Sequence, residues 1–118
     1  MTETQSLAID ILKLVPNDST CFINAPSIYK DSGIIKLLQP STQYDWQLNL
    51  SKENKNGLIE VILKENIECE FHMLTIEHDG IPLFTAYDGM CGVLVNKLTN
   101  IPEWFSRKYE GTLMFERD

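Results

Sequence analysis

The chain has 118 residues, enough for one domain spanning 1–118, and 43% of them are hydrophobic, enough to build a core. Ten basic against seventeen acidic residues leave a formal net charge of −7, which argues against nucleic acid or an anionic membrane as partner, because both select a basic footprint. The start, Met1-Thr2-Glu3-Thr4-Gln5, is acidic where a secretory leader is basic, and no apolar run nears the roughly 18–20 residues that cross a bilayer, so a soluble cytoplasmic protein is expected.

In chain order, Leu7, Ala8, Ile11, Leu12 and Val15 recur at the spacing of one buried helical stripe. Thr2 with Gln5 has the form of a capping box, and Pro16 stops the helix. Cys21-Phe22-Ile23 reads as a short strand, and residues 32–38 as a short helix ended by Pro40. From Gln43 the period changes to two. Tyr44, Trp46, Leu48 and Leu50 alternate with Asp45, Gln47 and Asn49, as in a strand whose first set is dry.

The segment from Ser51 to Gly57, with its Asn56-Gly57 pair, reads as a loop, and the apolar run Leu58 to Leu63 as an interior strand. A tight turn near Glu65-Asn66 leads to a strand over Glu68 to Glu77. Asp79-Gly80 is the strongest hairpin signal in the chain, and Ile81 to Tyr87 is the returning strand. Pro82 near its start has no N–H for a ladder, so the strand begins at an edge or pairs there on one side only. Leu94, Val95 and Leu98 suggest a short helix over Cys91 to Leu98. A further helix is expected over Pro102 to Tyr109, with Arg107 and Lys108 in its last turn and Gly111 as the cap, then a final strand over Thr112 to Glu116. The expected fold is α+β: an antiparallel meander of about four to six strands with N-terminal and C-terminal helices packed on one face.

Residues suited to catalysis are sparse. Cys69-Glu70-Phe71-His72 has the spacing of half a metal knuckle, but on a strand residues three apart face opposite ways, so no metal is expected there. Cys91, between glycines in Asp88-Gly89-Met90-Cys91-Gly92, is the best thiol nucleophile if a helix begins at it. Neither a dinucleotide-binding loop nor a phosphate-cradling lysine motif occurs, and no cofactor is expected. Cys21, Cys69 and Cys91 are odd in number and widely spaced, as reduced cytosolic thiols are.

The acid is unevenly placed. Glu60, Glu65, Glu68, Glu70, Glu77, Asp79 and Asp88 face Lys64 alone over residues 60–88, a surplus of six of the chain's seven negative charges. On a strand, Glu68, Glu70 and His72 would share one wet face, where like charges repel unless a partner opposes them. A merely solvated face is the competing explanation. The expected contacts are Glu68, Glu70, His72, Glu77, Asp79 and Asp88, and the expected partner is a basic protein. A small acidic chain of this type fits a bacterial immunity protein that inhibits a toxin such as a nuclease. Two other readings compete: an acidic secretion-type chaperone acting as a homodimer, and a small cysteine-dependent enzyme using Cys91.

Overall fold

Thr2 and Gln5 form the capping box. The Thr2 hydroxyl accepts from the Gln5 amide at 3.1 Å, and the Gln5 side chain accepts from the Thr2 amide at 2.9 Å. They open α1 (Glu3–Leu14), whose Leu7, Ala8, Ile11 and Leu12 are buried. In the computed structural model, which describes residues 1–116, the remaining elements are β1 (Ser19–Asn24), β2 (Gln39–Pro40), β3 (Trp46–Leu50), α2 (Lys52–Glu65), β4 (Met73–His78), β5 (Ile81–Tyr87), β6 (Gly92–Val95), α3 (Glu103–Lys108) and β7 (Leu113–Phe115). Residues 117 and 118 of the expected domain lie outside that description. The fold is α+β, with one seven-stranded sheet in the order β2-β3-β1-β4-β5-β6-β7. Every pairing is antiparallel except that of β6 with β7.

Strand alternation and register decide which face is dry. Cys21 and Ile23 pair with Leu48 and Trp46 on one side and with Ile76 and Leu74 on the other. Phe84 and Ala86, then Val95 and Val93, continue the same rows. These side chains meet Leu7, Ile11 and Leu12 of α1 and Leu58 and Ile62 of α2 in one core. The third helix joins the same side, where Phe105 packs edge-on against Phe84 at 6.0 Å between ring centroids. All three helices therefore cover one face of the sheet. No described helix is long and apolar enough to cross a membrane.

Three segments differ from the sequence-based expectation. The loop and strand expected over Ser51 to Leu63 are the single helix α2. Ser51 caps it, its hydroxyl accepting from the Asn54 amide at 3.1 Å, and Asn66 in the left-handed region closes it. The buried positions Lys55, Leu58 and Ile62 lie on one helical stripe. Gly57, which suggested a turn, lies inside the helix, where an added Cβ would touch Leu37 at 3.4 Å. The helix expected over Cys91 to Leu98 is strand β6, because β-branched Val93 and Val95 alternate into the core. The short helix expected over 32–38 is a 3₁₀ turn, Gly33–Lys36, and Gln39–Pro40 is a strand.

The dry face of β3 is shorter than expected. Leu48 and Leu50 are buried, whereas Trp46 is half-buried and Tyr44 precedes the strand, stacking on Phe22 at 5.0 Å. Pro82 does pair on one side only: it sits opposite Glu77 of β4, beyond the reach of β6, and a bulge there absorbs Leu83. Lys55 from α2 reaches the end of α1 and donates to the Val15 carbonyl, satisfying an orphan acceptor at that terminus. Desolvation holds its ammonium pKa below the ordinary lysine value, and the Asp18 charge opposes that shift.

Candidate functional site: the bare face of the sheet

With the three described helices on one side, the opposite face has no helical cover among the described residues. Register runs one straight row across it, Gln47–Phe22–Thr75–Thr85–Leu94–Met114, from β3 to β7. A second row sets Asn24 beside Met73 and Met73 beside Tyr87. Thr75 is only 5% exposed although no described helix covers it; Phe22 on β1 and Thr85 on β5 flank it in register. Met114, at the β7 edge, is exposed. Among the strand residues that register places on this face, Glu77 alone carries a charge. In a chain of net charge −7 that is a concentrated absence of charge, with aromatic and methionine side chains in its place.

The expected contact residues lie at the two ends of this face and not in one strip along it. The strand expected from Glu68 begins only at Met73; residues Ile67–Glu70 form a 3₁₀ turn. That turn carries Glu68 inward, where it is fully buried. Its Oε1 accepts from the Thr4 hydroxyl of α1 at 3.1 Å, and its Oε2 has no partner among the described residues. Glu68 thus cannot touch a partner while the fold is intact, and the alternation that would set it beside Glu70 and His72 does not exist there. Glu70 and His72 are exposed, as is Asp88. The Asp88 amide donates to the His72 carbonyl at 3.1 Å, so these two stand side by side at one end of β4 and β5. Glu77 and Asp79 stand at the other end, on the bulge and on the hairpin tip.

The local backbone explains both ends. Asp79 and Gly80 have φ of 52° and 79°, the mirror-image turn that matches the twist of paired strands. At the opposite end, Asp88, Gly89 and Met90 are all left-handed, at 50°, 67° and 71°. A Cβ on Gly89 would lie 2.9 Å from the Cys69 carbonyl oxygen, so only glycine fits against the Ile67–Glu70 turn. This close approach sets the Asp88–Met90 turn against the Ile67–Glu70 turn. Of the four surface acids, the carboxylates of Glu70, Glu77 and Asp88 have no hydrogen bond or ion pair among the described residues, and that of Asp79 meets only His78, at 3.5 Å. By contrast, Glu60 and Glu103 are each paired with a basic residue four positions along their helices.

The other chemically capable groups are arranged for structure. Cys21, Cys69 and Cys91 are free thiols. Burial pushes the Cys21 thiol up from 9.0 to about 12. Partial desolvation first, then the neighbouring Glu68 and Glu70 charges, also raise the Cys69 pKa. Cys91 is exposed, but the helix expected to start there and activate it is strand β6. Cys69 and His72 do not share a strand either, so strand parity has no bearing on them.

One polar network joins residues about a hundred positions apart, which no local sequence pattern relates. The Tyr109 hydroxyl donates to Asp10 Oδ2 at 2.5 Å and meets the Ser6 hydroxyl at 2.8 Å, while Lys108 reaches the same Asp10 oxygen at 2.8 Å. Burial and the Asp10 carboxylate push the Tyr109 pKa up, which keeps its proton in place. The network latches α3 onto α1. Compared with known proteins, the chain matches no family model, no curated protein and no solved structure.

Proposed function

We propose that the chain is a protein-binding module that docks the bare face of its sheet on a basic protein, acting as an inhibitor of the immunity type against a toxin such as a nuclease. The observation that carries this reading is an uncharged row, Phe22–Thr75–Thr85–Leu94, with Glu70 and Asp88 at one end of the strands and Glu77 and Asp79 at the other. Docking surfaces have this anatomy: a centre depleted of charge that is dehydrated on contact, and a charged rim that steers the encounter and rejects wrong partners. Acids without counter-ions keep their full potential for a cationic partner, and a rigid sheet presents them at no cost in ordering.

The test uses a basic partner captured from the source cell, identified and purified. Calorimetric titration of the parent chain should give a complex whose affinity falls as salt is raised, and stoichiometric addition should abolish the partner's enzymatic activity. The double variant Glu70→Lys/Asp88→Lys should bind at least about tenfold more weakly, since truncated or reversed contacts of this kind cost roughly 1.4 kcal/mol or more. Equal binding by parent and variant contradicts the acidic rim. An unchanged partner activity in the saturated complex contradicts inhibition.

A further inference from the structure

Beyond the docking face, the segments that join β1 to β2 and β2 to β3 line a cleft of about 470 Å³. Its walls are apolar: Ala25, Pro26, Ile28, Ile35 and the half-buried Trp46. Two charged side chains of opposite sign also line it, Lys30 and Asp45. They form no ion pair with each other or with any other described residue.

Asp45 is fixed in place. Its amide donates to Asn24 Oδ1 at 2.9 Å, and its Oδ2 accepts from the Ala25 amide at 3.0 Å. That clamp joins the loop to the end of β1 and uses one carboxylate oxygen; Oδ1 accepts nothing among the described residues. Lys30 is exposed and has no hydrogen-bond acceptor among the described residues. Among the described residues, the cleft thus offers one preorganised anion, one cation without an ion-pair partner and an aromatic wall. Its volume falls in the range of roughly 300–1,000 Å³ typical of small-molecule sites.

We infer that this cleft binds a small zwitterion with an apolar body, of the size of a dipeptide or tripeptide. The ligand's ammonium pairs with Asp45, its carboxylate pairs with Lys30, and its aliphatic or aromatic side chains lie against Trp46, Ile28 and Ile35. Both charged residues are exposed, so a purely apolar ligand would gain nothing from either charge, and a ligand of single sign would meet one like charge. Only a molecule carrying both signs satisfies the two together.

The chain contains a built-in reporter. Trp104 lies on α3, half exposed, so the variant Trp104→Phe leaves Trp46 as the only tryptophan. Leu-Leu titrated into this variant should change Trp46 emission saturably, and N-acetyl-Leu-Leu-amide, which has neither terminal charge, should bind several-fold more weakly. Lys30→Ala should weaken Leu-Leu by about threefold to fivefold, the scale of a partly exposed ion pair. Asp45→Asn, which keeps an acceptor for the Ala25 amide, should do the same. The two substitutions together should bring Leu-Leu down to the affinity of the blocked peptide. The inference is overturned if Leu-Leu leaves Trp46 emission unchanged at millimolar concentration, or if the blocked peptide binds as tightly as the free one. It does not depend on the docking face, whose acids these two substitutions leave untouched.

Discussion

Glu68 and Glu70 stand two positions apart and have opposite environments, one sealed under α1 and the other exposed. Reversing each to lysine separates the two roles. Glu68→Lys would bury an ammonium beside the positive end of α1 and should cost roughly 3 kcal/mol or more. Glu70→Lys should stay within about 0.5 kcal/mol of the parent. Urea unfolding of both variants gives the comparison, and similar midpoints would place Glu68 at the surface.

Cys21 supplies a pH signature. With its folded pKa raised from 9.0 to about 12, the folded protein keeps the thiol proton after the unfolded chain has released it. Stability from this site is therefore full below about pH 9 and declines between pH 9 and 12, by up to the order of 4 kcal/mol. The raised pKa values of Tyr109, Cys69 and Lys108 act in the same direction, and the lowered value of Lys55 opposes them. Unfolding measured from pH 8 to 11 should show the decline, and Cys21→Ala should make it shallower. An identical slope in the variant would mean that solvent reaches the thiol.

Among the elements, α2 divides what local pattern determines from what the fold decides. Its sequence holds Asn56-Gly57, a hairpin signal in isolation, followed by the apolar run Leu58–Leu63. The Ser51 cap and the stripe Lys55, Leu58, Ile62 contain the helical answer, but a lysine among the buried positions obscures the period. Gly57→Ala tests the helix directly. In a helix interior the change should stabilise by up to about 1 kcal/mol, less any push against Leu37, whereas in a left-handed turn it would destabilise.

Where a segment has one strong signal, the sequence already shows the structure. The Thr2–Gln5 box, the Asp79-Gly80 hairpin and the one-sided pairing at Pro82 are all local chemistry. Short apolar runs such as Val93–Val95 fit either period, and only their pairing with β5 and β7 makes them a strand. The candidate site was legible only in part. Surplus acid over residues 60–88 is visible in composition. That Glu68 turns inward, and that the acids divide between two ends of β4, depends on a 3₁₀ turn held by contacts with α1 and the Gly89 turn. The uncharged face was invisible because its row is assembled from six strands.

At the scale of the whole molecule, the layers are asymmetric. Three helices seal one face of the sheet, and the other meets solvent with Phe22, Met73, Tyr87 and Leu94 only half-buried. Charge repulsion between two chains of −7 opposes self-association elsewhere on the surface, and the four acids at the ends of the strands oppose it here as well. Sedimentation at micromolar concentration in low salt should therefore show a monomer, whereas a stable dimer with the bare face buried would favour the chaperone reading.

Methyl-resolved NMR reads directly which face of the sheet meets the partner. With one equivalent of the purified basic partner, the methyl signals of Met73, Thr75, Thr85, Leu94 and Met114 should shift or broaden, while those of Leu7, Ile11 and Ile62 stay in place. Perturbation confined to methyl groups on the outer surfaces of α1, α2 or α3, with the bare-face signals unchanged, would contradict docking through the bare face.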